Sequence, residues 1–284
     1  MTLIHRVAIA GAGVGGLTLA LGLHRAGIPV SVFEKYPGAQ KHTTGFTLWS
    51  YSAQRLADFG FSAEKMDSVG SWVETTEIRN QAGRVISRMP VGEVSRALGA
   101  ESYEVRRPQM LAAIEAELPV GTVRRGVACT HAVTEDDQAF LVLEGGERIN
   151  ADLVVGADGI HSTLRTVVAG PTELRDSGYR GCSAVARISA GLLAPHTHVD
   201  LWGKGGKAGI ADVGDGVARW YLTWKAEADA QLQTREQLLA AYAEWDPVMT
   251  QIITLTADEE ITHHSFSDIA PIRTWRQGRV VLMG

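Results

Sequence analysis

The chain begins with alternating apolar segments that have the lengths of strands and helices. Residues 6–10 (RVAIA) form a short apolar run typical of a buried strand, and residues 17–26 predict a helix that Gly27 ends. A second buried strand is predicted at 29–34 (PVSVFE). A strand, a glycine-rich turn, a helix and a strand in this order predict a βαβ unit with parallel strands.

The middle of the chain predicts shorter elements. Residues 53–59 predict a helix, and residues 72–90 alternate like antiparallel strands with a hairpin turn at 81–83. Pro108 is expected to open a helix that runs through Leu118, because proline costs nothing at a first helical position.

Beyond this helix the pattern favours antiparallel sheet. Residues 123–149 predict a small meander that leads into an apolar strand at 152–156. From 179 to 224, short strands rich in Val, Ile, Trp and Tyr alternate with glycine turns. Two amphipathic helices are predicted at 234–245 and 247–256.

Composition excludes several classes of protein. The chain is 45% hydrophobic and 21% charged, as in an ordinary globular protein, and 284 residues suggest about two domains. A net charge of −5 argues against a nucleic-acid partner. The two cysteines, Cys129 and Cys182, exclude a disulfide framework, so we expect a reducing, cytoplasmic location. No apolar run approaches the ~20 residues of a transmembrane helix.

The first turn has the pattern of a dinucleotide-binding site. The turn between the first strand and the helix has the pattern Gly-x-Gly-x-x-Gly, formed by Gly11, Gly13 and Gly16, with Gly15 between the last two. Glu34 ends the next strand. Such a turn lets the backbone approach a pyrophosphate, while the carboxylate accepts hydrogen bonds from a ribose. The alternative is a tight turn with a solvated Glu34. The pattern does not separate NAD from FAD.

A second motif distinguishes the two cofactors. Residues 156–165 (GADGIHSTLR) follow a strand and open a helix, and they resemble the Asp-Gly motif of the class A FAD-dependent monooxygenases, the flavoprotein aromatic hydroxylases that include urate hydroxylase and para-hydroxybenzoate hydroxylase. The resemblance implies that Asp158 lies near the FAD pyrophosphate, in a segment linked to NAD(P)H binding. Taken alone, Asp158 and Ser162 are equally consistent with capping of the helix N-terminus.

Four further segments match the same family. The resemblance implies that Glu34 and Lys35, in Val32-Phe33-Glu34-Lys35, end the ribose-binding strand, and that Thr47, in the segment 45–49 (GFTLW), lies near the flavin. It also implies that Arg107, in 105–110 (VRRPQM), reaches the FAD and that Val127 meets the adenine through its backbone. The alternatives are a solvated charge pair for Arg106 and Arg107, and a core position for Val127.

In the second half of the chain the leads are weaker. Lys207 and Tyr221 match positions that contact substrate in the urate hydroxylase branch, where an arginine stands in place of Lys207. The sequence itself favours the alternative, in which Tyr221 is a sheet residue and Lys207 is solvated. No catalytic residue is assigned, and no metal site is expected, because His263-His264 and His196-x-His198 lack a third ligand at suitable spacing.

The resemblance implies both a fold and an activity. We expect an α/β fold: a Rossmann-like FAD-binding domain with small antiparallel insertions over residues 1–172, an inserted α+β substrate domain on an antiparallel sheet over 173–270, and a return strand of the first domain over 271–284. The implied activity is NAD(P)H-dependent hydroxylation of an aromatic or polycyclic small molecule by O₂, through a flavin C4a-hydroperoxide. The substrate and the oligomeric state stay open.

The segment 278–284 (GRVVLMG) returns to the buried-strand pattern and matches the approach to the family's Gly-Asp motif. The sequence ends at Gly284, before the Asp of that motif and its helix. We therefore expect that the sequence represents a truncated or incomplete monooxygenase, because a domain seldom stops at the end of a buried strand. The alternatives are another FAD-dependent oxidoreductase on the same fold, an NAD dehydrogenase with a plain Rossmann domain, and a non-catalytic flavoprotein fragment.

Overall fold

The computed structural model describes residues 4–38, 45–226 and 234–284. The strands are β1 (Val7–Ala10), β2 (Val30–Glu34), β3 (Gly45–Leu48), β4 (Gly70–Trp72), β5 (Thr75–Asn80), β6 (Val85–Met89), β7 (Tyr103–Arg106), β8 (Val123–Arg125), β9 (Cys129–Glu135), β10 (Gln138–Leu143), β11 (Arg148–Ala151), β12 (Leu153–Gly156), β13 (Leu174–Arg187), β14 (Thr197–Gly203), β15 (Gly206–Asp212), β16 (Val217–Lys225), β17 (Thr262–Ile269), β18 (Arg276–Gln277) and β19 (Val280–Leu282).

The helices are α1 (Val14–Arg25), α2 (Ser50–Asp58), α3 (Ala63–Val69), α4 (Val91–Ala97), α5 (Arg107–Glu115), α6 (Thr163–Ala169), α7 (Arg235–Ala241) and α8 (Pro247–Thr254), with a short 3-10 helix at Asp258–Glu260. No helix in the described ranges is both long and apolar enough to cross a membrane. Helices α3 and α4 lie where the sequence pattern predicted no element, because seven residues give too short a period to read.

The chain divides into two compact units. Unit 1 comprises Met1–Gln40, Leu111–Arg175 and Ser267–Gly284, and unit 2 comprises Lys41–Met110 and Asp176–Phe266. This division differs from the expected domains in one large segment, since residues 41–110 group with the second unit. The reason is a parallel pairing of β5 with β14, which adds the first of these strands to the large sheet of unit 2. Strands so far apart in sequence can pair without any signal in the local sequence of either strand.

Unit 1 is built on a six-stranded sheet with the order β18-β19-β12-β1-β2-β8. Strand β1 lies between β12 and β2 and is parallel to both. All four residues of β1 are buried, which explains its uninterrupted apolar sequence. The predicted βαβ unit and the return strand β19 are therefore present.

The predicted meander in unit 1 is smaller than expected. Strand β8 pairs in parallel with β2, so the antiparallel sheet holds β9, β10 and β11 only. A three-residue strand is too short for its alternation to show which partner it takes. The small sheet and α6 share one core, in which Leu141 and Leu164 are fully buried.

Unit 2 is built on a seven-stranded sheet with the order β17-β13-β16-β15-β14-β5-β6. Strand β16 pairs antiparallel with β13 and β15, β14 pairs antiparallel with β15, and β6 pairs antiparallel with β5, whereas β14 and β5 are parallel. One face packs against α7 and α8 through an apolar core that includes Trp220, Leu201 and Ile252. A smaller sheet with the order β3-β7-β4 belongs to the same unit.

Candidate functional site

The glycine turn of unit 1 joins β1 to α1. Gly11 has φ +102°, and a Cβ there would lie 2.3 Å from the carbonyl oxygen of Ala157. A Cβ on Gly16 would lie 2.0 Å from the carbonyl oxygen of Gly11, so packing within the protein requires both glycines. A Cβ on Gly13, in contrast, would meet nothing within 4 Å. The turn therefore leaves open space at the N-terminus of α1, where a helix favours a phosphate group.

The carboxylate of Glu34 lies beside this turn. One carboxylate oxygen accepts a hydrogen bond from the backbone N–H of Ala12 at 2.9 Å, and the other accepts one from the backbone N–H of Tyr36 at 3.0 Å. A carboxylate held there is the acceptor that a ribose diol requires. Lys35 is exposed, and its ammonium lies 5.1 Å from the centre of the Tyr36 ring.

Val127 follows β8 in the same part of unit 1. Its backbone N–H donates to the carbonyl oxygen of Glu34 at 2.9 Å, and its half-buried side chain packs against the core. Nearby, burial and the negative charges of Asp158 and Glu34 raise the pKa of Cys129 to about 12. This thiol stays protonated at neutral pH and is not a nucleophile.

The Asp-Gly motif forms a loop that caps helix α6. One oxygen of Asp158 accepts from the backbone N–H of Thr163 at 2.8 Å and of Leu164 at 3.1 Å, and the other accepts from the hydroxyl of Ser162 at 2.6 Å. The Ser162 hydroxyl oxygen accepts from the backbone N–H of Arg165 at 2.8 Å. The capping role that the sequence left open is thus present, and the cofactor-binding role of Asp158 stays a prediction.

Arg165 stabilises this loop through hydrogen bonds of its guanidinium. Its buried guanidinium donates to the carbonyl oxygen of Ile160 at 2.8 Å and to the hydroxyl of Thr172 at 2.7 Å. A cavity of about 390 Å³ lies beside the loop, lined by Asp158, Ile160 and Trp275 among others. The shape of this loop therefore depends on hydrogen bonds made by Asp158, Ser162 and Arg165.

Thr47 and Arg107 belong to unit 2. Thr47, on β3, donates its hydroxyl proton to Glu104 at 2.7 Å. Arg107 opens α5 and is half-buried. Its neighbour Arg106 contacts the carboxylate of Asp215 at 3.5 Å, so the two arginines are not simply a solvated pair.

A network of buried charges lies on the polar face of the unit 2 sheet. Glu104 is 0% exposed; its Oε1 lies 2.7 Å from His198 Nδ1, and its Oε2 accepts from Arg219 Nε at 2.5 Å. Burial opposes ionisation, but the charge of Arg219 and the hydrogen bond from His198 outweigh it and lower the pKa of Glu104 from 4.5 to about 2. Glu104 is therefore a carboxylate at neutral pH.

The network continues through His198 to Asp200. His198 Nε2 lies 3.1 Å from Asp200 Oδ1, so both ring nitrogens face carboxylate oxygens. Because carboxylates only accept hydrogen bonds, both nitrogens must carry protons and the ring is an imidazolium. Burial opposes this charge, but the hydrogen bonds to Asp200 and Glu104 raise the pKa of His198 above its ordinary value.

Asp200 brings together the two substrate-site candidates. Tyr221 donates its hydroxyl proton to Asp200, and Lys207 Nζ lies 3.0 Å from the same carboxylate. Burial and the charge of Asp200 raise the pKa of Tyr221, so it stays a phenol. The ring of Tyr221 lies across β15 at Gly209, where a Cβ would come within 2.3 Å of the ring. The side chain of Lys207, which the sequence favoured as solvated, is 42% exposed and also ion-paired with Asp200.

A cavity of about 350 Å³ opens on the same face of unit 2. Arg219, Tyr221 and Phe266 line it together with Gly45, Ser183 and His264. The hydroxyl of Ser183 lies 2.7 Å from His264 Nε2. A cavity of this volume, with aromatic walls and a few oriented polar groups, has the size and lining of a small-molecule site.

The sequence matches one family model almost from end to end. The model describes an FAD binding domain and covers residues 5–284. This chain belongs to that family. The match resolves the choice between NAD and FAD that the glycine pattern left open, in favour of FAD.

Curated relatives of this chain are named as monooxygenases. The chain is 30% identical to the aurachin C monooxygenase/isomerase of Stigmatella aurantiaca, over 98% of this chain and 73% of that protein. It is 27% identical to the 6-hydroxynicotinate 3-monooxygenase of Pseudomonas fluorescens, over 98% and 75% of the two chains. The expectation of an FAD-dependent monooxygenase is thus confirmed.

The fold is shared with solved protein structures. HpxO of Klebsiella pneumoniae, solved with FAD and uric acid, superposes with a TM-score of 0.89 at 22% identity, over 98% of this chain and 72% of that chain. The predicted α/β fold with a Rossmann-like domain is therefore confirmed.

Four network members were not identified as site residues from the sequence: Glu104, His198, Asp200 and Arg219. A signal was available, since His198 and Asp200 alternate with the buried apolar residues Val199 and Leu201 on β14. Such alternation predicts a polar sheet face but not its hydrogen bonds. Within the described ranges, no group of three His, Cys, Asp or Glu residues is placed to hold a metal ion.

Proposed function

We propose that this protein uses FAD, NAD(P)H and O₂ to hydroxylate an aromatic or polycyclic small molecule. The observation that carries the proposal is the glycine turn of unit 1, where Gly13 leaves open space beside the carboxylate of Glu34. The family match and the names of the curated relatives support the reaction class.

The residues of unit 1 fit an FAD. Gly13 and its neighbours offer backbone to a pyrophosphate, and Glu34 offers a carboxylate to a ribose. The FAD-binding residues that we propose are Gly11, Gly13, Gly15, Gly16, Glu34, Lys35, Val127 and Asp158 in unit 1, and Thr47 and Arg107 in unit 2. When bound and reduced, FAD activates O₂ for transfer of one oxygen atom to the substrate.

The protein's own part is to bind and orient the ring. We place the aromatic substrate in the 350 Å³ cavity of unit 2, where Arg219 and His264 supply polar contacts and Phe266 supplies an aromatic wall. Tyr221 lines the cavity through a side chain that Asp200 fixes. Lys207 does not line the cavity itself; its ammonium contacts Asp200 at 3.0 Å and lies 5.5 Å from the centre of the Tyr221 ring. A cytoplasmic location is part of the proposal and rests on the use of only two cysteines.

The test follows both the reductant and the oxygen atom. The protein, loaded with FAD, is mixed with NADH or NADPH and a panel of hydroxylated and heteroaromatic compounds, and NAD(P)H oxidation is recorded. We expect slow oxidation alone and faster oxidation with a substrate, with one atom from ¹⁸O₂ in the product. Product labelled only when the ¹⁸O is supplied as water would refute the proposal.

A further inference from the structure

His198 joins two anchoring carboxylates on the polar face of the unit 2 sheet. Its Nδ1 contacts Glu104 at 2.7 Å and its Nε2 contacts Asp200 at 3.1 Å. The side chain of His198 is 10% exposed and that of Glu104 is 1% exposed, so little water competes for these hydrogen bonds. The buried imidazolium is therefore a rigid bridge between β7 and β14.

Each carboxylate in turn holds one side chain of the cavity. Glu104 accepts from Arg219 Nε at 2.5 Å, and Asp200 accepts from the hydroxyl of Tyr221. Arg219 and Tyr221 stand two residues apart on β16, and both line the cavity. One continuous line of hydrogen bonds thus runs from the first cavity side chain to the second through His198.

We propose that His198 is a positioning residue of the substrate cavity, and that its ring holds Arg219 and Tyr221 in place through Glu104 and Asp200. This inference rests on the proposed function, because it takes the cavity of unit 2 to be the substrate site. His198 is not placed among the residues that line the cavity, so it acts through its neighbours.

The geometry makes substrate affinity depend on pH. Loss of a proton from His198 leaves one ring nitrogen with a lone pair facing a carboxylate, and that hydrogen bond is lost. His198 contacts Asp200 on its own strand and Glu104 on β7, and the uncharged Thr76 pairs with it from β5. The other charged or titratable groups reach it through these carboxylates: Lys207 on β15 and Tyr221 on β16 contact Asp200, and Arg219 on β16 contacts Glu104. The hydrogen bonds to Asp200 and Glu104 outweigh burial and the charge of Arg219 and raise the pKa of His198, so affinity is complete at lower pH and falls as pH rises through that value.

The experiment compares His198→Ala with His263→Ala in the full, FAD-loaded chain. His263 is exposed on β17 of the same sheet, which makes it a matched control. The probes are 4-hydroxybenzoate, 6-hydroxynicotinate, 4-hydroxyquinoline and urate, and the one that binds wild type most tightly is used for Kd and KM.

For His198→Ala we expect Kd and KM to rise about tenfold to hundredfold, the cost of misplacing groups by about 1 Å. His263→Ala keeps the wild-type values. The affinity of wild type falls with rising pH, whereas His198→Ala shows no such fall, and added imidazole restores binding near neutral pH. A role in packing alone would not produce the pH difference.

An unchanged Kd in His198→Ala, the same pH profile in both proteins, or the failure of all four probes to bind wild type would overturn the inference. If circular dichroism shows that His198→Ala does not fold, His198→Gln takes its place with the same expected loss of the pH dependence. Oxygen labelling on wild type separates the two proposals: a labelled product with an unaffected His198→Ala refutes the positioning role alone, whereas an unlabelled product refutes the proposed function.

Discussion

Replacement of Glu104 by glutamine removes the charge at the centre of the unit 2 network. Glu104 is fully buried and accepts hydrogen bonds from Thr47, His198 and Arg219. A glutamine keeps the volume but offers one oxygen and one NH₂ group, which donates. Two buried cations then face a neutral amide, and at least one donor of the three is left without an acceptor.

Two estimates of the lost free energy of unfolding agree. Breaking a buried ion pair by removing one partner costs about 3–5 kcal/mol, because the remaining charge stays buried without compensation. The lowered pKa of Glu104, from 4.5 to about 2, corresponds to roughly 3 kcal/mol at about 1.4 kcal/mol for each pH unit. We therefore expect Glu104→Gln to lower the free energy of unfolding of unit 2 by about 3 kcal/mol near neutral pH.

Urea denaturation followed by tryptophan fluorescence measures this difference, and Glu244→Gln, an exposed position after α7, is the control. A folded-state pKa below the ordinary value means that the stabilisation is present above pH 4.5 and is lost as pH falls toward about 2. The gap between wild type and Glu104→Gln should therefore narrow below pH 4.5. A loss under about 1 kcal/mol, the value of an exposed ion pair, would refute the reasoning.

Two further predictions test the cofactor site and the sheet. Glu34→Ala should weaken FAD binding by about 1–3 kcal/mol, because charge-assisted hydrogen bonds are lost. Calorimetric titration of the apoprotein with FAD measures this, and Glu144→Ala, at an exposed position, is the control. An unchanged Kd would contradict the ribose assignment. Gly209→Ala should destabilise unit 2 by about 1–3 kcal/mol, because its methyl group would overlap the Tyr221 ring. In a Tyr221→Ala background the same change should cost little, and an equal cost in both backgrounds would show that the ring is not the obstacle.

Local patterns predicted unit 1 well. The run 6–10 became β1 and the helix after it became α1, because a strand that is buried on both faces needs an unbroken apolar sequence. The glycines of the turn were also predictable from their spacing, although only Gly16 is required by a contact inside the turn, with Gly11. Gly11 is required by its positive φ and by the close approach of Ala157, which is distant in sequence.

The site in unit 2 depends on contacts that the spacing of residues along the sequence does not reveal. Glu104 meets Arg219 across 115 residues and His198 across 94. The sequence shows that each residue is polar and stands in an apolar strand, but not which strand lies beside which. The parallel pairing of β5 with β14, which moved residues 41–110 into unit 2, is of the same kind.

By itself the sequence determined the βαβ unit, the glycine turn and the family motifs, because these follow from short-range sterics and from side chains close together in the chain. The tertiary structure alone decided the protonation of His198, the orientation of Tyr221 over Gly209 and the ion pair of Lys207. The physical reason is that burial and hydrogen-bond partners set a charge and a rotamer, and strands distant in sequence supply both.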